Sequence, residues 1–82
     1  MKATATITRF DRPYEEGSRT IMPVHIVVEG MRAVIDLRAP RSAVNLLWSL
    51  APQYAGRTIN LEFETMELIG GIGYLRGVKI LR

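Results

Sequence analysis

Hydrophobic and polar positions alternate with period two over most of this chain, and period two predicts β-strand. In the first run, Ala3 to Phe10, residues Ala3, Ala5 and Ile7 share one face and Thr4, Thr6 and Thr8 the other. Asp11 to Ser18 holds Pro13, Glu15, Glu16 and Gly17, which predicts a polar loop. Thr20 to Val28 and Met31 to Arg38 then alternate on either side of Glu29-Gly30, the pattern of a two-residue hairpin. Pairing across that turn matches Val28 with Met31, Ile26 with Ala33, Val24 with Ile35 and Met22 with Leu37, all apolar. The opposite face matches Val27 with Arg32, His25 with Val34, Pro23 with Asp36 and Ile21 with Arg38. A one-residue slip would mix the two sets, so turn and pattern specify one register.

The period changes after Ala39-Pro40. Pro40 suits the first turn of a helix, where its missing N–H costs nothing, and the helix is expected over about Arg41 to Tyr54, before Gly56. Pro52 marks an alternative end one turn earlier. Val44, Leu47, Trp48 and Ala51 form its apolar stripe, and Ala43, Leu46 and Leu50 widen that stripe past half the circumference. Trp48 is expected in the core. Alternation resumes over Arg57 to Met66, with Ile59, Leu61 and Phe63 inward and Asn60, Glu62 and Glu64 outward. Gly70-Gly71-Ile72-Gly73 reads as a turn, and Tyr74 to Leu81 as a closing strand interrupted by Gly77.

The expected fold is therefore α+β, one domain over residues 1–82 in the order β-β-β-α-β-β. It comprises a five-stranded, mostly antiparallel sheet with one helix between strands 3 and 4. This order, at this length, resembles the oligonucleotide/oligosaccharide-binding (OB) barrel. The resemblance spans the chain, rests on element order alone and implies a surface for single-stranded nucleic acid. A helix plugging a barrel end accounts for the wide apolar arc. An open sheet with a partner subunit over the rest of the arc accounts for it equally, and both stay open.

Composition narrows the function classes. A chain of 82 residues buries a thin core. Without cysteine it has no disulfide and lacks the main ligand of common zinc sites, so self-association remains as a source of added stability. No apolar run reaches membrane-spanning length and the N-terminal residues do not read as a signal peptide, so a cytoplasmic location is expected. Of eleven cations two are lysines, Lys2 and Lys79, which leaves nine arginines and a net charge of +3. Arginine pairs bidentately with carboxylate or phosphate and stacks on rings, which suits protein interfaces and nucleic-acid sites alike.

The candidate chemistry is sparse. The glycines at 71, 73 and 77 lack dinucleotide spacing and no helix follows them, so no cofactor is expected. His25 is the sole histidine and no nucleophile pattern accompanies it, so catalysis is not expected. Glu62, Glu64 and Glu67 are read as cross-strand partners of Arg76 and Lys79 rather than metal ligands.

Two binding readings follow. The first is a non-enzymatic module working through protein–protein contacts, as a homo-oligomer or with another protein, through the outward hairpin face of Ile21, His25, Val27, Arg32, Val34 and Arg38. The alternative is single-stranded DNA or RNA binding, with Arg9, Arg32, Arg38 and Arg76 on phosphates and Tyr14 and Tyr74 stacking on bases.

Overall fold

A computed structural model describes residues 1–81. Its centre is the hairpin of β3 (Arg19–Val28) and β4 (Met31–Ala39), paired antiparallel from Val28–Met31 to Thr20–Ala39 in the register the alternation predicts. Glu29 and Gly30 take φ of 51° and 78°. Two consecutive positive φ values make the turn whose twist matches that of the flanking strands. Val24, Ile26, Val28, Ala33 and Ile35 face inward and are buried.

β1 (Lys2–Phe10) lies against β3 on one side and β5 (Thr58–Glu62) on the other, antiparallel to both. Strict alternation would put Arg9 on the core face with Ala5 and Ile7. The register shifts between Ile7 and Arg9, so that Thr8 is an extra residue, Arg9 pairs with His25 and Phe10 pairs with Val24. This β-bulge turns the guanidinium out and lays Phe10 against the core.

The chain beyond β5 corrects the expected fold class. The protein is mostly β, 60% strand and 17% helix, with eight strands in a curled mixed sheet that forms a half-barrel, and its helix follows the fourth strand. The α+β reading with five strands and a helix between strands 3 and 4 is therefore overturned. Three local features raise the count. The stretch expected as a loop contains β2 (Tyr14–Glu16), which folds back on β3 as a short hairpin. The run after the helix breaks at Phe63-Glu64 into β5 and β6 (Thr65–Ile69). The last run bends at Gly77 into β7 (Ile72–Arg76) and β8 (Lys79–Leu81). There a Cβ would lie 2.6 Å from the Glu64 carboxyl carbon, and φ is +64°. The expected four-residue turn shrinks to Gly70-Gly71, with Ile72 and Gly73 inside β7.

The pairing path is β6-β7-β4-β3-β1-β5-β8. β4 meets β7 in parallel through Ala33–Gly73 and Val34–Tyr74, whereas β8 pairs antiparallel with β5. The bent β7–β8 run thus reaches from one end of the curl to the other, and Leu61, Phe63 and Leu75 close the core beneath it.

The helix α1 (Arg41–Tyr54) has the expected bounds and packs on β1, β3 and β4. Pro52 does not end it. The carbonyl deprived of a partner there is that of Trp48, itself an exposed residue. Only Val44 is fully buried, and Trp48, expected in the core, is 40% exposed. The helix meets the strands along a narrow line through Val44, so the shoulders of its wide apolar arc stay outside.

Candidate functional site

Residues directly opposite in a ladder face the same side of the sheet, so the register alone locates every candidate. Arg9 pairs with His25, His25 with Val34, Val34 with Tyr74 and Tyr74 with Glu67. This is one outward row across five strands. A second row is Val27 and Arg32, and a third is Tyr14, Ile21 and Arg38. Arg76 stands two residues beyond Tyr74 on β7 and shares its face. All ten candidate residues of the two binding readings therefore lie on one outer sheet face.

They do not lie at one depth. Ile21 is 2% and Val34 8% exposed, so two of the six residues expected to offer a protein contact form the floor of the face. His25, Val27 and Tyr74 are half-buried, while Arg9, Arg32, Arg38, Arg76 and Tyr14 are exposed. The result is a recessed aliphatic floor with guanidinium groups standing around it. Two hollows flank the central row. One, of about 290 Å³, lies among Thr8, Arg9, His25, Arg32 and Ile72. The other, of about 400 Å³, is the slot where β4 and β7 part, lined by Asp36, Arg38, Tyr74, Arg76 and Val78.

The charges divide into tethered and untethered. Asp11 accepts from Arg9 Nε at 3.3 Å and lies 2.6 Å from His25 Nε2. The hydrogen bond with His25 holds the Asp11 carboxyl below its ordinary pKa near 3.8, against a smaller opposing effect of desolvation; the charges of His25 and Arg9 add to the lowering. Arg76 reaches Glu67 at 3.8 Å. Arg32 and Arg38 make no ion pair among the described residues. Asp36 shares their strand face, between them, and is also without an ion pair there.

The remaining carboxylates sit beside cations or glycine. Glu62 is opposite Lys79 in the β5–β8 ladder, and Glu64 fills the space above Gly77. No group of three metal-ligating side chains occurs among the described residues. The Thr8 hydroxyl donates to the His25 carbonyl oxygen, not to its ring.

Asp11 was not legible as part of the site. Its contact with His25 spans fourteen residues, and only the bulge at Thr8 brings the end of β1 into range. The untethered state of Arg32 and Arg38 likewise has no local signal, because it depends on which carboxylates the fold sends elsewhere.

No family model matches the chain, and no curated protein or solved structure shows significant similarity to it.

Proposed function

We propose that the chain is a non-enzymatic binding module that holds single-stranded nucleic acid on the outer face of β3, β4 and β7. The carrying observation is the untethered pair Arg32 and Arg38 on one strand, with Tyr74 on the neighbouring strand between them. The two arginines are six positions apart on β4, roughly 20 Å at about 3.3 Å per residue, room for several nucleotides. A guanidinium pairs bidentately with phosphate, and a tyrosine ring accepts any base by stacking.

The curled half-barrel is consistent with an OB-like surface, in which such a face between two hairpin loops takes a single strand. Here the flanking turns are the β2–β3 hairpin, bearing exposed Tyr14, and the β6–β7 hairpin. Protein contact through the same face has less to work with, because the recessed Ile21 and Val34 offer little area to a partner.

Titration of a labelled mixed-sequence single strand with the protein tests the reading. Saturable binding that drops on Arg32→Ala or Arg38→Ala supports it. An unchanged signal at low salt removes nucleic acid from consideration.

A further inference from the structure

The outer shoulder of α1 is the least explained surface of the molecule. Projected at 100° per residue, Ala43, Leu46 and Leu50 fall within about 60° of one another and well round the helix from buried Val44. Leu46 is 61% exposed, Ala43 is exposed and Leu50 is half-buried. Trp48 occupies the opposite shoulder. The spacing i, i+3, i+7 is that of a stripe meant for another helix. Among the described residues nothing covers it: there α1 packs on β1, β3 and β4.

Charge selects the occupant. From Ser42 to Gly56 there is no charged residue, and the polar arc is the neutral set Ser42, Asn45, Ser49 and Gln53. A helix facing water alone normally carries charges on its outer side. The arginines at its two ends are turned back on the chain itself. Arg41 pairs with Glu15 at 2.8 Å, while Arg57 lies over the Tyr54 ring at 5.3 Å and donates to the Gln53 carbonyl. An acidic or basic partner would find nothing to grip here. A second copy of the same chain, itself carrying +3, meets no like charge along this face of α1.

We infer that the chain forms a two-fold homodimer in which the Ala43–Leu46–Leu50 stripe of α1 packs antiparallel on the same stripe of a second copy. An isologous contact needs a patch complementary to itself, which a neutral apolar stripe provides. A helix of 14 residues offers less than the ~800 Å² per partner of a standard interface. The dimer is accordingly weak and concentration-dependent. It leaves the arginine-bearing sheet face free, so it stands or falls separately from the nucleic-acid reading.

Sedimentation and light scattering over a concentration series from micromolar to millimolar test this. Mass is expected to rise to twice that of the chain in the wild type and in Leu68→Glu, whose site is the other large exposed apolar patch. It is expected to stay at the chain mass in Leu46→Glu and Ala43→Glu, with unchanged circular dichroism. A monomer at every concentration overturns the inference. So does a dimer that survives both helix variants, or one that Leu68→Glu abolishes.

Discussion

The imidazole Nε2 of His25 lies 2.6 Å from Oδ2 of Asp11, tying the outer face of β3 to the chain just past β1. The Asp11 backbone reinforces the tie, its N–H donating to the Pro23 carbonyl at 2.9 Å. Because the folded state lowers the Asp11 pKa, the stabilisation is fully present above the unfolded value near 3.8 and fades as pH falls through the lower folded value. Asp11→Asn should therefore cost stability near neutrality and cost little in acid. Urea midpoints of wild type and variant at about pH 6 and about pH 2 check this. A gap that stays constant between them would contradict it.

Glu29 holds φ at 51°, a region L-residues with long side chains rarely adopt. Asparagine tolerates it better and is favoured in this turn. Glu29→Asn is expected to raise stability by about 0.5–1 kcal/mol, read as a higher denaturant midpoint with an unchanged slope. A lower midpoint would show that the Glu29 side chain has a compensating role.

At Gly73 the side chain of Met66, on β6, closes on the β7 backbone. A Cβ there would stand 2.7 Å from the Met66 sulfur and 3.5 Å from the Ala33 Cβ. Gly73→Ala should cost about 1–3 kcal/mol by overpacking. Adding Met66→Ala makes room, so the double variant should be more stable than the sum of the single losses implies. Strict additivity in denaturant melts would place the strain elsewhere.

What the sequence made legible was what local pattern controls. The β3–β4 register needed only a two-residue turn and two alternating faces that agree. The bounds of α1 needed Pro40, a 3.6-residue period and Gly56. Long-range geometry was illegible. Nothing in Ala33 or Val34 announces a parallel meeting with Gly73 and Tyr74 some forty residues on. Arg9 and Phe10 reverse the inward–outward order that Ala3 to Thr8 sets, a trace of the bulge that a reading of strict alternation through Phe10 passes over. Trp48 looked like core because the width of an apolar arc does not say how much of it the sheet will cover. For the site, the face of each candidate was readable but its depth was not. Ile21 and Val34 alternate like exposed residues and are floor.

Stacking and phosphate contacts should separate by variant. Tyr74→Ala is expected to weaken single-strand binding by about 1–3 kcal/mol, a stacked base's worth, with the salt dependence unchanged. Arg32→Ala weakens binding and flattens the salt dependence together. Equal salt slopes for the two variants would mean that Arg32 contacts no phosphate.

The most direct test of the sheet face as a nucleic-acid surface is the slope of log binding constant against log salt concentration. It is to be measured by fluorescence anisotropy on a labelled single strand, for wild type and the Arg32→Ala/Arg38→Ala variant. Each neutralised phosphate contributes about −0.7 to that slope on single strands, so the double variant should be shallower by about 1.4. Absence of saturable binding at low salt, or identical slopes for the two proteins, would contradict the assignment.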